Sequence, residues 1–239
     1  MPEKNVADED VKAAIERTDT GDGPGTHNLD DLPESDFAGS AEDDAAGPQA
    51  TATIPYDRPV EDFIDELSAT GHVTHTSYMK TSVTLHHNAG RLSHQGVLDV
   101  WTVRPASAHF DVDAAGDVAQ YVKVHEYAWA VGNTVGNQSS ISIEMANATL
   151  APHWTVAEST WKNAARLAGW LFAEVIGERP SRSNLFYHHK WSATLCAGPY
   201  MDRIYDEVLA AAQVAYDYFK DTHPTFRPDA EPVPNERRR

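Results

Sequence analysis

The chain has 239 residues, of which 41% are hydrophobic, so it can bury one sizeable core with flanking tails. The formal net charge is -17 at pH 7, and so acidic a surface repels nucleic-acid phosphates and anionic lipids, which argues against both as partners. The single cysteine excludes an internal disulfide framework.

Both ends of the chain have the composition of tails. Residues 1–53 are rich in Asp, Glu, Gly and Ala, which predicts a disordered acidic leader; a docking segment for a partner is the alternative. Residues 1–17 lack the apolar stretch of an export signal, and no run reaches membrane-spanning length. Residues 223–239 are Pro-rich and predict a disordered tail, which leaves residues 54–222 for one domain.

The first part of the domain predicts a helix, a strand and a second helix. The first helix would end at Gly71, and its apolar positions are Val60, Phe63, Ile64 and Leu67. Alternation over Ser82–His86 predicts a buried strand. Ser93 can cap a helix over His94–Val103, which Pro105 stops.

A hairpin and a further strand follow. Ser107–Val112 and Val118–Val122 read as paired strands around a turn. The polar segment Asn133–Asn137 predicts a loop, and Ser140–Met145 predicts a strand with Glu144 on the face opposite its apolar side chains.

The last elements are a long helix, a short strand and a final helix. Thr155 and Glu158 have the spacing of a capping box at the start of a long helix that Gly177 ends. Leu185–Tyr187 predicts a strand, and Tyr200–Phe219 predicts the final helix. The alternation of strands and helices predicts an α/β fold with a central mixed β-sheet flanked by helices.

Three side chains have the chemistry of an open zinc site. His86 ends one apolar strand, His188 ends another, and Cys196 follows in the same loop. Two imidazoles and a thiolate leave a fourth zinc position for water, as in catalytic centres. A nearby helix N-terminus and a metal would both lower the pKa of the thiol. Spacing alone does not distinguish His86 from His87 or His188 from His189, and satisfied surface histidines with a buried cysteine are the alternative.

Glu144 is a second candidate for a functional residue, with a possible role in acid–base catalysis. A carboxylate on the polar face of an apolar strand is either solvated or directed into a site. Beside a zinc ion, it could take a proton from water and return it to a leaving amine.

Four sequence blocks occur in the order found in one enzyme family. The first is an apolar strand followed by His-His-Asn-Ala-Gly, and the last is His-His-Lys-Trp-Ser-Ala-Thr-Leu-Cys-Ala-Gly-Pro. The blocks are residues 83–90, 107–120, 128–144 and 188–199. Together they resemble the type-2 N-acetylmuramoyl-L-alanine amidases, which include phage endolysins, bacterial cell-wall amidases and peptidoglycan recognition proteins.

The resemblance implies a role for individual residues. Zinc would be held by His86, His188 and Cys196. Glu144 would be the catalytic base, and Thr194 would assist the oxyanion. The positions assigned to substrate binding are His87, His109 and Trp129; packing within the hairpin is the alternative for the last two.

The predicted function is zinc-dependent cleavage of the amide between N-acetylmuramic acid and L-alanine in peptidoglycan. The predicted setting is a monomeric phage endolysin that stays in the host cytoplasm before lysis. A peptidoglycan-binding protein without activity, a zinc peptidase of the cell wall, and a partner-docking protein led by the acidic segment are the alternatives.

Overall fold

Six strands form one mixed β-sheet at the centre of the protein. A computed structural model describes residues 64–66 and 71–222, and the predicted leader and tail lie outside them. The strands of the sheet are β1 (Ile64–Glu66), β3 (Ser82–Leu85), β4 (Phe110–Val112), β5 (Val118–Gln120), β7 (Ser140–Met145) and β8 (Leu185–Tyr187). Their order is β1-β5-β4-β7-β3-β8, and a separate antiparallel pair joins β2 (Val73–Thr74) to β6 (Tyr127–Ala128).

Five α-helices within the described residues cover the sheet. They are α1 (His94–Val103), α2 (Thr134–Ser139), α3 (Glu158–Leu171), α4 (Pro199–Arg203) and α5 (Tyr205–Thr222). Helices α3 and α5 share one core with the apolar faces of the strands, while α1 packs in a second core with residues of the hairpin region. The predicted α/β class with helices flanking a mixed sheet is therefore confirmed. No helix in residues 71–222 has both the length and the apolar character needed to cross a membrane.

Strand alternation separates an apolar face from a polar one. Ile141, Ile143 and Met145 of β7 are fully buried in the core beneath α3. The intervening residues Ser142 and Glu144 must point to the opposite face, because successive side chains alternate. Strands β7, β3 and β8 are parallel neighbours, so their carboxyl ends meet at the same edge of the sheet. This edge carries the site described below.

Several predicted helices and strands are confirmed, and the residues predicted to begin or end the helices have that role in the structure. Helix α1 has the predicted bounds, and the Ser93 side chain accepts a hydrogen bond from the Gly96 backbone. The strands over residues 82–85, 140–145 and 185–187 coincide with the predicted ones within one residue. Gly177, with φ of 80°, ends the helical run after Leu171.

Two predictions in the first two-thirds of the chain are wrong. Ile64–Glu66 is a strand rather than part of a helix, because its backbone pairs in parallel with β5; the other residues of that predicted helix lie outside the described ranges. The predicted loop at Asn133–Asn137 is largely helix α2, because the Asn133 side chain caps the backbone of Gly136. In both places, contacts beyond the local pattern decide the conformation.

Two predicted helix limits are also wrong. Helix α3 starts at Glu158 with Ala157 as its N-cap, and the Thr155 hydroxyl bonds Thr149 instead of forming a capping box. The predicted final helix is divided into α4 and α5 at Ile204.

Gly169 allows α3 and α5 to pack closely. A Cβ at this position would lie 2.5 Å from both the Ala212 carbonyl oxygen and the Ala215 Cβ. We expect Gly169→Ala to lower the free energy of unfolding by about 2 kcal/mol, because overpacking outweighs the gain of about 1 kcal/mol in helix propensity. Urea denaturation measures the change.

The matched control adds one atom where there is space. Ala210 is exposed on α5, so Ala210→Ser should change the stability by no more than about 0.5 kcal/mol. Equal stability of the Gly169→Ala variant and the parent protein would contradict this close helix contact.

Candidate active site

Two strand ends and one loop bring three ligand-type side chains together. His86 follows β3, and His188 follows its parallel neighbour β8. The loop after His188 returns Cys196 to the same place, held by a hydrogen bond from the His189 backbone to the Cys196 carbonyl at 3.0 Å. One side-chain ligand atom from each of His86, His188 and Cys196 lies within 4.8 Å of the others.

The dimensions of this cluster suit a tetrahedral metal. The His86 Nδ1 atom lies 3.8 Å from the Cys196 Sγ atom. A zinc ion with ordinary bond lengths would place a nitrogen and a sulfur ligand about 3.6 Å apart. The Ser192 hydroxyl bonds His188 Nε2 at 3.0 Å, which leaves Nδ1 as the ligand nitrogen. The buried His86 Nε2 has no hydrogen-bond partner among the described residues.

The neighbouring histidines lie outside the cluster. The Asn147 amide donates to His87 Nδ1 at 3.1 Å, and the His87 ring contacts Trp154 edge-on. His189 is exposed, with Nδ1 3.8 Å from Asp202. The structure thus groups the first histidine of each pair with Cys196, whereas the spacing in the sequence allows either histidine.

The side chain of Cys196 is partly buried. Burial raises its pKa well above the ordinary value, the Glu144 charge acts in the same direction, and the backbone N–H of His87 opposes them. A cation bound between the three side chains would supply the charge that a thiolate needs.

Glu144 stands beside the cluster on the polar face of β7. Its Oε1 atom lies 3.9 Å from His86 Nδ1. Burial and the charge of Asp111, opposed by Arg104, raise the pKa of Glu144 to about 8. A carboxyl group that gains and loses a proton near neutral pH is suited to acid–base chemistry.

A cavity opens above these residues. One wall comes from Leu92, α1 and the residues that follow α1, and the other comes from the loops around residues 154 and 194–195. The wall residues are Leu92, Val97, Val100, Trp101, Arg104, Ala106, Trp154, Thr194 and Leu195. The Thr194 hydroxyl accepts a hydrogen bond from the Cys196 backbone at 3.2 Å, so its hydrogen is free to be donated.

The three predicted substrate-binding residues have different locations. His87 lines the cavity. His109 is fully buried and bonds the Ser142 and Glu126 backbones through its two ring nitrogens, which agrees with the alternative of packing within the hairpin. Trp129 is exposed against Thr74, outside the cavity lining, and its substrate role stays a prediction.

Sequence reasoning misses several residues of this site. Arg104 follows the end of α1 and has no local pattern that marks it, and the position of Trp154 depends on a loop with no regular pattern. Asp111 does carry a usable signal, because it lies between the core residues Phe110 and Val112 as Glu144 lies between Ile143 and Met145.

Comparison with known protein families identifies the family of this chain. The family model described as N-acetylmuramoyl-L-alanine amidase matches residues 68–199, more than half of the chain. No curated protein sequence matches the chain.

Solved structures share the fold at low sequence identity. The Staphylococcus aureus hydrolase AmiA, in complex with its ligand, is 16% identical, with a TM-score of 0.51 over 64% of this chain and 82% of AmiA. A mutant endolysin from Bacillus subtilis is 22% identical, with a TM-score of 0.50 over 62% of this chain and 97% of its own. The PlyG catalytic domain is 20% identical, with a TM-score of 0.51 over 68% of this chain and 99% of its own.

Proposed function

Because the chain belongs to the N-acetylmuramoyl-L-alanine amidase family, we propose that it hydrolyses the amide between N-acetylmuramic acid and L-alanine with one zinc ion. The zinc ligands would be His86, His188 and Cys196. The observation that carries this proposal is the convergence of their ligand atoms within 4.8 Å of one another, beside the Glu144 carboxyl.

Glu144 serves as the general base and then as the general acid. Bound zinc would polarise the amide carbonyl and make water more acidic. Glu144 takes a proton from the attacking water and passes it to the L-alanine nitrogen as the amide bond breaks. Its raised pKa suits both transfers, since the group must accept and release a proton in each turnover.

Thr194 and His87 act on the substrate from the cavity wall. The free hydroxyl hydrogen of Thr194 can be donated to the negative charge that develops on the carbonyl oxygen. Because His87 Nδ1 accepts from Asn147, its proton is on Nε2, and the ring can donate to a substrate oxygen.

The role of a phage endolysin held in the host cytoplasm before lysis is part of the proposal. It is tested by expressing the chain inside a bacterium whose wall it cleaves in vitro. Lysis only after the membrane is permeabilised would support the role, and lysis without permeabilisation would contradict it.

Metal removal tests the zinc centre directly. We expect about one zinc ion per chain by elemental analysis, and a fall in cell-wall cleavage of at least about 10²-fold after chelation. Added zinc should restore the rate. Full activity in protein shown to be metal-free would overturn the proposal.

A further inference from the structure

A second carboxyl group is buried next to the proposed base. Asp111 of β4 is fully buried, and in the parallel pairing of β4 with β7 it lies directly opposite Glu144. Residues in register on parallel strands point to the same face, so both carboxyl groups lie on the polar side of the sheet. Neither Asp111 Oδ1 nor Glu144 Oε2 has a hydrogen-bond partner among the described residues.

Asp111 pairs with a histidine that comes from a different element. His94, in the first turn of α1, bonds Asp111 Oδ2 through Nδ1 at 2.8 Å. Burial opposes the charged imidazole, but the hydrogen bond to Asp111 and the charges of Asp111, Asp113 and Asp117 prevail and raise the pKa of His94. Burial also raises the pKa of Asp111, and the hydrogen bond and charge of His94 oppose that shift. Tyr121 holds the same helical turn, because its hydroxyl donates to the His94 carbonyl at 3.1 Å.

The pair affects Glu144 through charge and through position. Two neighbouring carboxylates in a buried site repel each other strongly, and a cation bonded to one of them removes most of this repulsion. The hydrogen bond also ties the start of α1 to β4. The residues further along α1 and beyond it, including Arg104, line the cavity.

We propose that His94 and Asp111 are positioning residues for this amidase: their hydrogen-bonded pair has no net charge, ties the start of α1 to β4 beside Glu144, and leaves no unpaired carboxylate next to it. The inference rests on the proposed function, because it takes Glu144 as the base.

Replacing His94 and replacing Asp111 should change kcat to different extents, which a purely structural role of the pair would not produce. His94→Gln removes the imidazole that ties α1 to β4 and leaves the buried Asp111 carboxyl without its partner, so we expect kcat to fall by about 30-fold with KM and zinc content unchanged. Asp111→Asn keeps a hydrogen-bond acceptor for neutral His94 and removes the charge, so its kcat should fall less than that of His94→Gln. In the double variant His94→Gln/Asp111→Asn, kcat should be at least about 5-fold higher than in His94→Gln alone.

The control uses another His–carboxylate pair. His75 lies 3.2 Å from Glu126 and is outside the cavity lining, so His75→Gln should leave kcat within about 2-fold. Thermal unfolding of each variant establishes that it is folded.

Three results would overturn the inference while the parent protein remains active. They are an unchanged kcat in His94→Gln, a double variant no better than His94→Gln, and loss of zinc from His94→Gln. A parent protein that does not cleave the amide would instead contradict the proposed function.

Discussion

Replacing Glu144 with Gln should lower kcat by about 10³-fold while the protein keeps its zinc. The amide cannot take a proton from water or return one to the leaving nitrogen, and general acid–base groups contribute about 10²- to 10⁴-fold to rates. Gln has nearly the same shape as Glu, and Glu144 is outside the group of three ligand-type side chains, so the metal site should remain intact.

Kinetics and metal content must be measured on the same preparation of the Glu144→Gln variant. The control is Glu158→Gln, which changes an exposed glutamate that pairs with Lys162 on α3, and it should retain the parent rate. If Glu144→Gln cleaves at a near-normal rate with zinc bound, Glu144 is not the base. If zinc is lost, the carboxyl has a role in metal binding that the proposed mechanism does not include.

The adjacent histidines His188 and His189 should respond very differently to replacement by alanine. His188→Ala removes a proposed ligand, and the zinc affinity should fall by more than the roughly 10- to 100-fold that loss of an outer-shell partner costs. Cell-wall cleavage should then be lost at low zinc concentrations. His189→Ala changes an exposed side chain near Asp202 and should retain both zinc and activity.

Zinc titration of the two variants, followed by a cleavage assay, gives the comparison. Because the residues are neighbours, a general disturbance of the loop should affect both variants, whereas loss of a ligand affects only one. Equal zinc affinity in the two variants would show that His188 is not a ligand. Zinc loss from His189→Ala alone would assign the site to the other histidine of the pair.

Site residues can be predicted from the sequence where a reactive side chain stands within or directly after a recognisable strand. His86 and His188 each follow an apolar strand, and the parallel pairing of β3 with β8 brings those two ends together. The alternation of side chains in β7 is enough to predict Glu144 on the polar face of the sheet, where it lies. The same pattern marks Asp111, whose importance emerges only because β4 lies beside β7.

Other features depend on contacts that local patterns do not contain. Ile64–Glu66 has a helix-like apolar spacing and forms a strand, because the edge of β5 offers its backbone a partner. The burial of His109 follows from bonds to Ser142 and Glu126, which are distant in sequence. The side-chain directions of His86 and His87 likewise depend on Cys196 and Asn147, which are brought in by other elements.

Digestion of purified peptidoglycan, with the products identified by mass spectrometry, tests the central claim most directly. Zinc-loaded protein should release stem peptides that begin with a free L-alanine amine and leave the glycan strands intact. Chelation should abolish this release, and zinc should restore it. Cleavage within the stem peptide, cleavage between the sugars, or release that persists in metal-free protein would contradict a zinc amidase built on His86, His188, Cys196 and Glu144.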